Sequence, residues 1–263
     1  MVKFHNFLLN MLMEQRICAV PVAPLRSEPN HRSEMVSQLL LGEVVTCQEN
    51  SGDFVLIRNQ YDDYTGWCQR SQVLVIEGLQ LAGSAEQLAA AFINPATWNG
   101  VPMQVPLGAP VGNLLQLNFP GFTYEGKLQS AGELPFDTTT ILSVIEPYQQ
   151  VPYLWGGKSV FGIDCSGFCQ QVYRFFGKRI PRDASQQALE GEMVGFLEEA
   201  QCGDLAFFES EEGKITHVGL LLNSREIMHA SGKVRVDDID QWGIINRDTG
   251  HRTHTLRLIR RYQ

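Results

Sequence analysis

The rhythm of apolar residues changes once along this chain, near residue 138, and that change limits the folds open to it. From Ile17 to about Ile76 the apolar runs are short and separated by turn residues: AVPVAPL, GEVVTCQE, DFVLIRN and TGWCQ. Runs of that length and spacing build a small all-β barrel. Tyr64-Thr65-Gly66-Trp67 reads as a turn into its closing strand, with Trp67 expected to plug the barrel end. From Thr138, by contrast, Ile141, Val144, Ile145 and Tyr148 fall at helical spacing behind a threonine cap, and Pro147 limits how far that helix runs. A second helix is predicted from Cys165, with Phe168, Val172, Phe175 and Phe176 on one face and Gly177 at its end. Strands follow: DLAFFE, ITHVGLLL, EIMHAS and, last, HTLRLIRRY. Helices first and an antiparallel sheet after them make residues 138–263 an α+β domain.

In residues 1–76, Arg26-Ser27-Glu28-Pro29, Gln38-Leu39-Leu40-Leu41-Gly42-Glu43 and Tyr64-Thr65-Gly66-Trp67 together resemble a bacterial SH3 domain. Residues 77–137 carry a weaker pattern. There Ser84-Ala85-Glu86-Gln87 fits a capping box, which predicts a short helix through Phe92. VPMQVPLGAPV, LLQLNF and GFTYEGKLQ then read as strands broken by Pro and Gly, so a second, degenerate SH3-like barrel is expected.

Composition removes several function classes. At 263 residues and 44% hydrophobic, the chain can build proper cores. A net charge of -8 with scattered Lys and Arg leaves no basic face for nucleic acid. No run of 18 apolar residues exists, so no segment reads as a membrane-spanning helix. Met1 to Met13 lacks the small-residue cleavage site of a secretory signal. The six cysteines, Cys18, Cys47, Cys68, Cys165, Cys169 and Cys202, form no CxxC pair and do not suggest a disulfide scaffold. The expected compartment is the reducing cytoplasm, and no obligate protein partner is evident.

Gly162-Ile163-Asp164-Cys165-Ser166-Gly167-Phe168 places a cysteine at the start of a helix. The free amides and partial positive charge there favour thiolate over thiol, which is what a nucleophile needs. Gly167 lets another backbone approach, whereas Cys169, one turn on, fits a buried structural role. A thiol nucleophile needs a base, and Ile215-Thr216-His217-Val218-Gly219 supplies one on a strand, with Gly219 leaving room beside the imidazole. The next strand, Ile227-Met228-His229-Ala230-Ser231, offers His229 to fix the tautomer of that base. A zinc site built from Cys165, Cys169, His217 and His229 has no standard ligand spacing, and neither metal nor cofactor is expected.

Five blocks carry a further resemblance: Tyr153-Leu154-Trp155-Gly156-Gly157, Asp164-Cys165-Ser166-Gly167-Phe168, Pro181-Arg182-Asp183-Ala184-Ser185-Gln186-Gln187, Gly203-Asp204-Leu205-Ala206-Phe207-Phe208 and Thr216-His217-Val218-Gly219. In that order they resemble the NlpC/P60 family of cell-wall cysteine peptidases, over about residues 138–263. The resemblance implies a papain-like α+β core with Cys165, His217 and His229 as catalytic residues. It also implies a substrate among peptidoglycan peptides, cut between gamma-D-glutamate and the diamino acid that follows. Tyr153 matches a tyrosine beside the nucleophile, placed to help hold the oxyanion with the Cys165 amide, and Trp155 is a candidate for substrate binding; the alternative for both is packing around the Gly-Gly turn.

SH3-like modules ahead of such a domain resemble the subgroup that recycles free murein peptides, in which the first barrel closes the cleft over a free N-terminal L-Ala. By position this implies Glu34, Tyr64 and Asp164 for the ammonium, and Ser166, Asp183 and Ser185 for the D-glutamate side. Asp164 has a second reading as the helix cap, Glu34 as a solvated loop carboxylate, and Tyr64 as a turn residue. Two competing functions remain: an open-cleft endopeptidase or amidase on intact wall, with the barrels as binding modules, and a catalytically dead binding protein.

Overall fold

The computed structural model describes residues 14–76 and 85–262. Met1–Met13 and the capping serine Ser84 lie outside the described residues. By compactness the chain divides into two units, Met1–Leu128 and Gln129–Gln263.

The first unit opens with strands β1 (Gln15–Cys18), β2 (Val22–Arg26), β3 (Met35–Leu40), β4 (Val44–Ser51), β5 (Phe54–Asn59), β6 (Thr65–Gln69) and β7 (Val73–Ile76). They pair in the order β3-β2-β6-β5-β4-β1-β7 around a core of Cys18, Leu25, Leu39, Val55, Ile57 and Cys68. The period of two along β6 turns Gly66 and Cys68 inward. Trp67 is left half-buried on the other face, outside that core, so it does not plug the barrel as expected.

The segment that follows holds β8 (Gln87–Ala89), β9 (Ile93–Trp98), β10 (Val101–Pro106), helix α1 (Gly112–Gln116), β11 (Phe122–Tyr124) and β12 (Leu128–Ser130). Two local expectations fail here. Gln87–Ala89 is extended because its neighbours offer it non-local partners: the Ala89 amide donates to the Ala109 carbonyl and the Ala90 amide to Lys127, both at 2.8 Å. LLQLNF, expected as a strand, begins inside α1, which carries Leu114 into a core shared with Ile17, Leu40, Val44, Ala96 and Val105. That core joins barrel residues to the following segment, and Asn113 Nδ2 donates to the Gly42 carbonyl at 2.9 Å across the same seam.

The second unit begins with α2 (Thr138–Ile145), whose cap is Asp137 rather than a threonine: its carboxylate accepts the Thr140 amide at 2.9 Å. A short hairpin, β13 (Lys158–Ser159) and β14 (Gly162–Ile163), leads into α3 (Cys165–Phe175), which is buried along its whole length. After α4 (Ala184–Gln187) come β15 (Glu192–Val194), β16 (Leu205–Glu209), β17 (Ile215–Leu221), β18 (Glu226–Ser231), β19 (Lys233–Asp240), β20 (Gly243–Ile245) and β21 (Arg252–Arg261). The strands pair in the order β15-β21-β16-β17-β18-β19-β20, and β20 pairs back with β21 to close a ring. Helix α3 packs on β17 and β18, and the Val218 amide of β17 reaches Cys165 at the helix start.

Candidate active site

The start of α3 is built on an ion pair. Asp164 caps the helix by accepting the Gly167 amide at 2.7 Å, and its other oxygen accepts the Gly156 amide at 2.9 Å. Buried Arg182 then donates to both carboxylate oxygens, at 2.9 and 2.6 Å, and to Ser166 Oγ at 2.9 Å. The capping role of Asp164 is therefore present, and its carboxylate is surrounded by donors from the protein itself. Gly167 is needed for the close approach foreseen in the sequence, since a Cβ there would lie 2.3 Å from the Gly157 carbonyl oxygen.

Cys165 heads this helix with 7% of its surface exposed. Burial pushes its thiol up to about 12, with the Asp164 carboxylate adding to the rise and the Val218 amide, Arg182 and the Ser166 amide opposing it. The helix start does not leave a resting thiolate: burial outweighs the dipole, and the side chain is a thiol until its proton is taken.

The imidazole expected to act as the base lies on β17. Gly219 on β17 pairs with His229 on β18, which sets His217 diagonal to His229. A Cβ on Gly219 would meet His229 Cβ at 2.9 Å and Ile227 Cδ1 at 2.7 Å, so the glycine makes room for the second imidazole. His217 Nε2 lies 2.8 Å from His229 Nδ1, and His229 Nε2 lies 2.9 Å from Asp237 Oδ2 on β19. Asp237 is wholly buried, and its second oxygen accepts Arg235 Nη2 at 2.8 Å and the Arg247 amide at 3.0 Å. On its other side His217 stacks on His254 of β21, ring centroids 4.1 Å apart at 25°. Burial, with His254 and His229 nearby, holds the His217 imidazole well below its ordinary 6.5. Burial likewise pulls His254 down to about 4, with His229 adding to the fall.

Tyr153 precedes the Gly156-Gly157 turn and lies near Cys165, Asp164 and Arg182; burial raises its hydroxyl to about 12, so it keeps a proton to donate. Ser166 is buried in the Arg182–Asp164 cluster. Half-buried Asp183 and exposed Ser185 sit at α4, which packs on β17, and Trp155 is 60% exposed. Glu34 and Tyr64 belong to the first unit, Glu34 exposed and Tyr64 half-buried against the barrel core. Asp237, His254 and the role of Arg182 escaped the sequence reading. Arg182 stood within a quoted block, and the Val-Arg-Val-Asp alternation after Gly232 was a strand signal for Asp237.

The nitrogens of His217, His229 and His254 all lie within 4.8 Å of one another, a spacing that invites a metal reading. Tetrahedral zinc at about 2.0–2.1 Å from each nitrogen needs donors roughly 3.3 Å apart. The His217–His229 contact is shorter, at 2.8 Å, and the two stacked rings of His217 and His254 do not converge on a point. What the contacts describe is a hydrogen-bonded chain from His217 through His229 to Asp237.

Residues 150–253 match the NlpC/P60 family, and residues 25–73 match the bacterial dipeptidyl-peptidase Sh3 domain. A gamma-D-glutamyl-L-lysine dipeptidyl-peptidase of Bacillus subtilis is 49% identical over 82 residues, 30% of this chain and 27% of that protein. One of the same name from Bacillus cereus is 26% identical over 259 residues, covering 84% of this chain and 76% of the relative. Dipeptidyl-peptidase 6 of Lysinibacillus sphaericus is 27% identical over 84% of this chain and 90% of its own. A crystal structure of an NlpC/P60 family protein from Bacillus cereus shares the fold at a TM-score of 0.75, with 20% identity over 94% of this chain and 99% of that one. With the family matched across Cys165, His217 and His229, the chain carries an NlpC/P60 cysteine peptidase domain behind a bacterial SH3 domain.

Proposed function

We propose that this peptidase hydrolyses the bond between gamma-D-glutamate and the following diamino acid in free murein peptides whose N-terminal L-Ala is unblocked, as a step in recycling cell-wall peptides in the cytoplasm. The observation that carries a hydrolytic reading is the buried His217–His229–Asp237 chain on strands whose Val218 amide reaches Cys165. The substrate class rests on the relatives named gamma-D-glutamyl-L-lysine dipeptidyl-peptidase. In this reading the neutral Cys165 thiol gives its proton to His217 as the sulfur attacks the carbonyl carbon. The Cys165 amide and the Tyr153 hydroxyl hold the oxyanion, the amine leaves with the proton from His217, and water frees the acyl group by the reverse exchange. Ser166, Asp183 and Ser185 are assigned to the D-glutamate side, Glu34, Tyr64 and Asp164 to the ammonium, and Trp155 to the substrate as well.

The test compares cleavage of L-Ala-gamma-D-Glu-meso-diaminopimelate, its lysine counterpart and the N-acetylated forms, following products by mass spectrometry. Cleavage of the free-amine peptides alone is expected, and Cys165→Ser is expected to abolish it while peptide binding persists. Equal cleavage of acetylated peptides overturns the free-amine requirement in favour of an open-cleft wall hydrolase. An active Cys165→Ser variant removes Cys165 as the nucleophile.

A further inference from the structure

The relay ends on a group with no freedom to choose its hydrogen-bonding role. An ionised carboxylate only accepts. Burial alone would raise the Asp237 carboxyl, but hydrogen bonds from His229, the Arg247 amide and Arg235 together hold it well below the usual carboxylate range. Since Asp237 Oδ2 accepts, His229 Nε2 carries the hydrogen at 2.9 Å, and in neutral His229 the facing nitrogen, Nδ1, is bare. His217 Nε2 must then donate to that bare nitrogen at 2.8 Å, which leaves His217 Nδ1 unprotonated and available to Cys165. With one hydrogen on the His229 ring, each step follows from the one before it, and the first from Asp237.

We infer that Asp237 is a positioning residue that sets the tautomers of His229 and His217, and so decides whether His217 can accept the Cys165 proton. The inference rests on the reading of Cys165 and His217 as nucleophile and base, and it adds to that reading a residue on a third strand. When the proton moves from Cys165 Sγ to His217 Nδ1, the imidazolium keeps its Nε2 hydrogen bond to His229. The positive charge is then balanced through His229 by the buried carboxylate.

The surroundings of Asp237 make an asparagine there more than a neutral copy. Oδ1 already receives two donors, Arg235 Nη2 at 2.8 Å and the Arg247 amide at 3.0 Å, so the amide oxygen of Asp237→Asn must stay at that end. Its NH2 then faces His229 Nε2 as a donor and reverses the relay: His229 Nε2 accepts, His229 Nδ1 donates, and His217 receives that hydrogen bond at Nε2. His217 is left with its hydrogen on Nδ1, where the thiol proton would have to go. Asp237→Ala removes the carboxylate without supplying a wrong donor.

The experiment is nitrogen NMR of the full chain labelled on histidine ring nitrogens, with the rate of Cys165 alkylation by iodoacetamide beside it. Neither readout needs a substrate, so failure here is separate from failure of the proposed peptide specificity. In the unmutated protein His217 is expected with hydrogen on Nε2 and a bare Nδ1; hydrogen on Nδ1 overturns the inference even if no variant folds. In Asp237→Asn the His217 hydrogen is expected to move to Nδ1, alkylation to slow more than tenfold, and kcat to fall by roughly a hundredfold or more with KM little changed. Asp237→Ala is expected to alkylate faster than Asp237→Asn. A merely structural carboxylate gives the opposite order, or an Asn variant that keeps the original tautomer and alkylates within about threefold of the original rate, and either result removes the role.

Discussion

The ring of His254 lies against that of His217, centroids 4.1 Å apart, and it was not among the residues that the sequence singled out, because a histidine near the start of β21 has no local mark of its destination. Its consequence is a pH profile. Burial and the two neighbouring imidazoles lower His217, so the base stays unprotonated through the range in which a free histidine would gain a proton. The acid limb of kcat/KM is therefore expected well below 6.5, the ordinary histidine value. An acid limb centred at that value would show that His217 is not held as described. His254→Ala removes a neighbouring charge and opens His217 to water, and both changes favour protonation, so the limb should move to higher pH. The same shifts act on stability. Between the lowered folded values, about 4 for His254, and 6.5, the unfolded chain binds protons that the fold does not, so stability should fall as pH drops below about 6.5. Urea unfolding at pH 7.5 and 5 measures that slope. The positions of Cys165 at a helix start and of His217 and His229 on successive strands were legible from local sequence because such elements announce themselves. Asp237 and His254 complete the site from strands whose places are fixed only by pairing, β19 beside β18 and β21 beside β20.

Among the elements, α3 depends on what surrounds its first turn. Arg182 and Asp164 are both buried, and removing one partner leaves the other charged without its counterpart. Arg182→Met should cost about 3–5 kcal/mol of stability, the range for breaking a buried pair, against the fraction of a kcal/mol typical of surface pairs. Denaturant unfolding checks this, and a loss under about 1 kcal/mol would mean that the pair is not needed to hold the helix start. The pairing of β17 with β18 sets a second requirement at Gly219, where a methyl would press on His229 Cβ and Ile227 Cδ1. Gly219→Ala should cost about 1–3 kcal/mol by overpacking and should reduce kcat by displacing His229. A variant with unchanged turnover would show that the imidazole tolerates the displacement. Local signals decided elements correctly where packing agreed with them, as for β6 and the start of α3. They failed at Gln87–Ala89 and at Leu114, where partners at Ala109, Lys127 and the barrel core outweighed a capping pattern and an apolar run.

For the whole molecule, the sequence separated a β-rich first part from an α+β second part, and the two compact units divide between Leu128 and Gln129. Beside the barrel's own core, Ile17, Leu40 and Val44 share a second core with Val105 and Leu114 from beyond residue 77. Apolar periodicity reveals which residues face inward and is silent on which neighbour they face. The proposed selection of a free L-Ala amine assigns part of the substrate to the first unit through Glu34, an exposed carboxylate. An ammonium in a recognition site needs a carboxylate, and a hydrogen bond between charged groups contributes about 1.5–3 kcal/mol. Glu34→Gln keeps the shape and removes the charge. It should therefore raise KM for the free-amine peptide by roughly ten- to a hundredfold while leaving kcat unchanged, the signature of binding shared by ground and transition states. Steady-state kinetics on the free-amine peptide decide it. An unchanged KM removes Glu34 from the amine site and confines recognition to the unit that carries Cys165, whereas a fall in kcat at constant KM would place the carboxylate among the groups felt only as the bond breaks.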